Sequence, residues 1–139
     1  MKKIFILLAL VSLPSFAKTY IGTFWKKVVD CPLMSPLCLP QQVEKPTKFD
    51  FYYPDRYGVE ETQIHGKSHI AEIFIARKKD HVDYIIFQVT LKNLSGDVIS
   101  ICSRYESIET LEAIPVGSCG GRGLDNPKEI VGFTISLDS

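Results

Sequence analysis

The sequence predicts an exported all-β protein: a single-domain antiparallel β-sandwich or small β-barrel of about seven or eight strands, stabilised by disulfides. Segments such as 82–93 and 129–137 alternate apolar and polar residues, which is the period of a strand with one buried face. Clusters of Pro, Gly, Asn and Asp separate the apolar segments and have the chemistry of turns. Four cysteines follow a secretory N-terminus, which favours disulfide bonds over free thiols.

Residues 1–17 have the pattern of a cleaved signal peptide. Lys2 and Lys3 precede the apolar run Ile4–Leu13, and Ser15-Phe16-Ala17 supplies the small residues that a signal peptidase reads. The apolar run is about half of the ~20 residues that a membrane-spanning helix needs, so we expect no stable membrane insertion. The expected mature protein is one β domain over residues 18–139, periplasmic or secreted.

The charge balance argues against two classes of partner. The chain has 16 basic and 16 acidic residues, and removal of Lys2 and Lys3 with the signal peptide leaves a net charge of −2. Such a domain has no electrostatic attraction to nucleic acid or to an anionic membrane. We therefore expect a protein or another macromolecule of the cell envelope as the partner, and no nucleic acid. The oligomeric state and the strand order are not predicted.

The strands are predicted from alternation and from β-branched and aromatic content. The second half of the central hairpin, 70–93, places Ile85, Phe87, Val89 and Leu91 on one face, and the last strand directs Val131, Phe133, Ile135 and Leu137 inward. Segment 106–114 fits a helix or a strand, with the strand favoured, and the glycine-rich segment 116–126 is predicted to be a loop. The predicted strands are 19–29, 47–53, 61–65, 70–79, 82–93, 98–103 and 129–137.

The cysteines are expected to form two structural disulfides. Local pairing, Cys31 with Cys38 and Cys102 with Cys119, is favoured over an arrangement in which Cys31 or Cys38 reaches the sheet. Loop-closure entropy predicts a stabilisation of roughly 2.5 and 3 kcal/mol for the two local rings. A catalytic thiolate is not expected in an oxidising compartment.

Three histidines carry the alternative hypothesis, a small periplasmic hydrolase or a metal-binding protein. His65 and His69 would lie about 13 Å apart on one extended strand, too far to share an ion. A turn at Gly66 would bring them closer, and His81 would also have to converge with them. We expect solvated loop histidines, no metal site, no cofactor and no catalytic residues. A structural envelope component is a third hypothesis.

Two stretches are predicted to bind a partner. Tyr52, Arg56 and Tyr57 belong to the first, because Tyr and Arg often dominate interface energy. Gly120, Gly121 and Arg122 belong to the second, where a disulfide-anchored glycine loop would expose its backbone at low entropic cost. The competing interpretations are that the tyrosines cap the core and that the glycines only permit a connection with positive φ.

The sequence thus predicts a non-catalytic exported binding module that recognises another macromolecule of the cell envelope, such as an inhibitor or an interaction protein. In general shape, the expected protein is similar to the small exported inhibitors of cell-wall hydrolases, which are disulfide-linked β-proteins. No motif assigns the chain to that group.

Overall fold

The computed structural model describes residues 17–30, 38–52, 58–79, 83–107 and 117–138, and leaves out the side chains of residues 17, 18, 52 and 79. Nine strands are present in these residues, with no helix longer than a single short turn. They are β1 (Ala17–Val28), β2 (Gln41–Gln42), β3 (Thr47–Tyr52), β4 (Val59–His65), β5 (His69–Lys79), β6 (Asp83–Asn93), β7 (Val98–Ser107), β8 (Gly117–Arg122) and β9 (Glu129–Leu137).

The strands form two antiparallel sheets, so the sandwich alternative is correct and the closed-barrel alternative is not. Sheet A has the order β2-β1-β9-β8, and β3 also pairs with β1. Sheet B has the order β4-β5-β6-β7. The predicted all-β class is confirmed, and nine strands in the described residues exceed the expected seven or eight.

The core lies between the sheets and consists of the inward rows of the long strands. Ile85, Phe87, Val89 and Leu91 of β6 are all buried, as their alternation predicts. They face Val131, Phe133 and Ile135 of β9, which are also buried. Aromatic rings of β1 and β3 extend this core: Phe24 lies 4.8 Å from Phe133 between ring centroids, and Tyr20 stacks on Phe49 at 5.8 Å.

The central hairpin and the turn after it match the sequence prediction closely. β5 and β6 pair over their full length from His69 with Asn93 to Lys79 with Asp83, within a residue or so of the predicted bounds. The next turn follows Asn93, whose side chain accepts a hydrogen bond from the Asp97 backbone N–H at 2.9 Å. Gly96 has φ of 93°, the left-handed conformation that favours glycine.

A disulfide joins the two sheets at their common edge. Cys102 on β7 and Cys119 on β8 are bonded, with their Cα atoms 5.8 Å apart, which confirms this predicted pair. Cys38 is disulfide-bonded as well. Cys31 lies outside the described residues, so the predicted Cys31–Cys38 pair stays a prediction.

Several parts of the sequence prediction differ from the structure or fall outside the described residues. The predicted loop 116–126 is wrong over most of its length, because Gly117–Arg122 is strand β8. Leu137 is 41% exposed rather than inward, because it is the last residue of β9 and lies beyond the core. Segment 106–114 is described only to Ser107, where β7 ends. The predicted signal peptide lies almost wholly outside the described residues, among which no helix is long and apolar enough to cross a membrane.

Candidate functional site

The outer face of sheet A carries Trp25, the one tryptophan of the chain. Tyr20 and Phe24 of β1 face the core, so the alternation of the strand places Trp25 on the opposite, outward face. There it pairs across β9 with Gly132, which in turn pairs across β8 with Gly120. A tryptophan and two glycines thus form one cross-strand row.

The two glycines form a surface on which the indole lies. A methyl group at Gly132 would overlap three adjacent ring atoms of Trp25, Cζ2, Cε2 and Cη2, so the ring presents its face to this glycine. A methyl at Gly120 would lie 3.1 Å from Cη2. Because glycine has no Cβ, the ring can approach the backbone of both strands at this row. The opposite side of the ring faces away from the sheet.

A hydrogen-bonded row of hydroxyl groups fixes the indole. Trp25 donates its Nε1–H to Thr134 Oγ1 at 2.9 Å, and Thr134 Oγ1 is 2.7 Å from Ser118 Oγ. Thr23 lies opposite Thr134 in the same row. Hydroxyl groups therefore border the indole on the side nearer the C-terminus of β9.

Two cations border the indole on the other side. The next outward-facing cross-strand row toward the N-terminus of β9 contains Lys27, Ile130 and Arg122. Ile130 lies between the two cations. Neither has a carboxylate oxygen within 4.0 Å in the described part of the chain, where the ion pairs join other residues. We call the surface made by Trp25, Gly120, Gly132, Lys27, Arg122, Ser118 and Thr134 the tryptophan platform.

The second predicted binding stretch therefore lies in a strand and not in a loop. Gly120 contributes to the tryptophan platform, and Arg122 borders it. Gly121 points to the other side, where a methyl group would lie 3.0 Å from the Ile99 carbonyl oxygen and 3.1 Å from Ser100 Cβ. The glycines permit the close approach of Trp25 on one face of β8 and of β7 on the other. The prediction of a loop does not anticipate these contacts.

The first predicted stretch is barely covered by the structure. Tyr52 ends β3 with its backbone paired to Ala17, and its side chain lies outside the described residues. Arg56 and Tyr57 lie outside them as well. Their proposed binding role stays a prediction.

The outer face of sheet B carries a row of apolar side chains that the sequence prediction missed. Val59, Ala76, Ile86 and Tyr105 are successive cross-strand partners, one on each of the four strands. Tyr105 is 69% exposed and Val59 is 54% exposed at the two ends of this row. Tyr84 adds a second ring, with its centroid 6.4 Å from that of Tyr105. We call these five residues the apolar row.

Polar groups beside the apolar row are ordered by hydrogen bonds. Glu72 Oε1 accepts hydrogen bonds from Lys92 Nζ at 2.8 Å and from Gln63 Nε2 at 3.0 Å. Gln88 Oε1 accepts another from Ser103 Oγ at 3.1 Å. With Glu61, Phe74 and Thr90, several of these side chains line a shallow depression of about 350 Å³. The face thus combines exposed apolar side chains with a concave polar border.

The histidines do not form a metal site within the described residues. The chain turns between β4 and β5, where the Gly66 N–H donates to the His69 carbonyl at 2.8 Å. His65 remains exposed at the end of β4, while His69 begins β5 and His81 lies outside the described residues. No group of three or more His, Cys, Asp or Glu in the described ranges could hold a metal ion.

His69 lines a cleft of about 300 Å³ at one end of the sandwich. Burial lowers the pKa of His69 below its ordinary value of 6.5, and the carboxylates of Asp125, Glu129 and Glu44 act in the opposite direction. The imidazole Nδ1 is 2.8 Å from Ser68 Oγ. Glu129 and Asn126 also line the cleft. The cleft therefore holds one histidine that resists protonation.

Comparison of the chain with protein-family models, with curated proteins and with solved structures finds no match. The two outer faces of the sandwich are therefore the basis of the functional proposals.

Proposed function

We propose that the protein is an exported, non-catalytic binding module that recognises another protein of the cell envelope through the outer face of sheet B. The apolar row is the observation that carries this proposal. In a sheet with one solvated face, the outward positions are ordinarily polar. Here at least one outward position on each strand is apolar. The two ends of the row, Val59 and Tyr105, are more than half exposed, Ile86 is half-buried and Ala76 is only 4% exposed.

The residue types of the row suit a protein partner. Tyrosine is enriched among the side chains that dominate the energy of protein interfaces, and Tyr84 and Tyr105 lie side by side. Apolar patches with a polar rim mark protein interaction sites, and the hydrogen-bonded side chains of Glu72 and Gln88 provide such a rim.

The size of the face is also adequate. Four strands spaced about 4.8 Å apart, with lengths of about ten residues at about 3.3 Å each, give a face of roughly 600 Å². A standard protein interface buries about 800 Å² on each partner. Specific interfaces begin at about 600 Å² on each partner, so the outer face of sheet B is just large enough for one specific contact.

Site-specific photo-crosslinking tests the proposal. A photo-reactive residue is placed at Tyr105 or Val59 in the full-length chain, and at Leu94 as the control. Leu94 is 58% exposed, like the test positions, but lies in the turn between β6 and β7. We expect one discrete adduct with another envelope protein from positions 105 and 59 and not from 94.

Three outcomes would contradict the proposal. They are equal adducts from all three positions, no adduct from positions 105 and 59, and an adduct with a second copy of the same chain. The last outcome would favour a structural envelope component.

A further inference from the structure

The tryptophan platform differs in chemistry from the apolar row and lies on the opposite side of the sandwich. Its central side chain is a flat ring whose orientation is already fixed by Thr134 on one edge and by Gly132 beneath. A partner that stacks on this ring loses no indole rotamer freedom, because the ring is ordered before binding.

The borders of the platform indicate the chemistry of a ligand. Ser118 and Thr134 supply hydroxyl groups at one edge, and the exposed Gln42 lies directly across from Trp25 on β2. Such groups donate to and accept from sugar hydroxyls. The apolar C–H face of a pyranose ring can at the same time lie against the indole.

The positive charges beside Trp25 favour a ligand that carries a negative charge. Lys27 and Arg122 stand in the row beside Trp25 without a carboxylate partner among the described residues. An arginine guanidinium matches a carboxylate in geometry and binds it with two hydrogen bonds. A cationic ligand would be repelled at this position.

We propose that the tryptophan platform binds an anionic saccharide, with one sugar ring against Trp25 and a carboxylate of the sugar at Arg122 and Lys27. The proposal does not depend on the protein-binding function of sheet B, because it uses a separate surface. A single-stranded nucleic acid is the competing occupant, since its bases stack on aromatic rings beside cations. One ring and two cations in a domain of net charge −2 favour the saccharide.

Fluorescence titration of the full mature protein tests the proposal, because Trp25 is the only tryptophan and its emission reports on the platform alone. The probes are oligogalacturonate and oligomannuronate, which carry carboxylates on epimeric rings. Neutral malto-oligosaccharide and oligothymidylate are the comparison ligands. We expect a saturable change in emission with at least one acidic saccharide and a weaker or absent change with both comparison ligands.

Charge variants identify the site. The double variant Lys27→Gln/Arg122→Gln should weaken acidic-saccharide binding at least tenfold. Lys78→Gln/Lys92→Gln removes the same charge from the outer face of sheet B, on the opposite side of the sandwich, and should leave binding unchanged. Trp25→Ala, measured by calorimetry, should abolish binding, while the two glutamine variants keep the test valid if this variant fails to fold.

The proposal is overturned if neither acidic saccharide binds, if the neutral saccharide or the oligonucleotide binds as tightly, or if the two double variants behave alike.

Discussion

Trp25 and Gly132 depend on each other. The indole can lie against the sheet only because position 132 has no side chain, whereas the alternation of β9 alone predicts no more than an outward Gly132. In a sequence, a glycine within a strand indicates a close approach of another group. Identifying that group required the register of β1 against β9, which places Trp25 opposite it.

We predict that Gly132→Ala destabilises the fold and displaces the indole. The added methyl would overlap the ring, and overpacking of this kind costs about 1–3 kcal/mol. Chemical denaturation followed by tryptophan fluorescence measures both effects. Gly117→Ala is the matched control, because a methyl there meets no atom within 4 Å. Equal effects of the two variants would refute the platform geometry.

His69 should make stability depend on pH. Its pKa is lower in the folded protein than in the unfolded chain, so the unfolded state binds more protons in the window between the two values. The contribution of neutral His69 to the free energy of unfolding is therefore complete above about pH 6.5, the ordinary histidine value. This contribution is lost as the pH falls toward the pKa of His69 in the folded protein.

Denaturation curves of His69→Gln and His65→Gln between pH 5 and 8, a range chosen around the ordinary histidine pKa, test this point. His69→Gln should flatten the fall in the free energy of unfolding below pH 6.5. His65→Gln, which alters an exposed histidine at the end of β4, should retain it. The same slope in both variants would mean that His69 is not the titrating group.

At the scale of elements, a disulfide links β7 to β8. The two strands belong to different sheets, so the bond between Cys102 and Cys119 fixes one edge of the sandwich. Gly121 lets β8 approach the backbone of Ile99 beside this bond.

The double variant Cys102→Ala/Cys119→Ala should lower the free energy of unfolding by about 3 kcal/mol, because the unfolded chain gains the freedom of a ring of 17-residue separation. Denaturation without a reducing agent measures it while the bond at Cys38 remains. A loss below about 0.5 kcal/mol would show that this edge does not depend on the bond.

A strand that buries one face can be predicted, because its apolar and polar residues alternate. A strand that forms only because it pairs with neighbouring strands cannot be predicted in this way. The bounds of β9 follow directly from its alternation, and those of β5 and β6 nearly so. Strand β8 has no such signal, since its sequence Gly-Ser-Cys-Gly-Gly-Arg resembles a loop, and Gly120 and Gly121 are required only by the close approach of Trp25 and β7. Tyr105 was missed for a related reason: the predicted strand ended at Ser103, so this side chain was assigned to no face.

The whole molecule presents two outer faces of different chemistry. Sheets packed face to face lie about 10 Å apart, so ligands on the two outer faces would not touch each other. We predict that Tyr105→Ala leaves acidic-saccharide binding at the tryptophan platform unchanged, and that Lys27→Gln/Arg122→Gln leaves binding of the protein partner unchanged. Calorimetric titration of each variant with both ligands checks this independence. Loss of both activities in either variant would show that the faces are coupled.

Binding of a protein by the outer face of sheet B, as proposed above, is measured by the affinity of this face for the crosslinked partner. Surface plasmon resonance with the purified partner compares the native chain with Tyr105→Ala and with Leu94→Ala. Truncation of a tyrosine that is a hot spot of an interface costs about 2 kcal/mol or more, so Tyr105→Ala should weaken binding by roughly thirtyfold. Leu94→Ala should change it less than about twofold, as expected for a side chain outside the contact. Equal affinities of the native chain and both variants would show that the partner does not bind at Tyr105 on the outer face of sheet B.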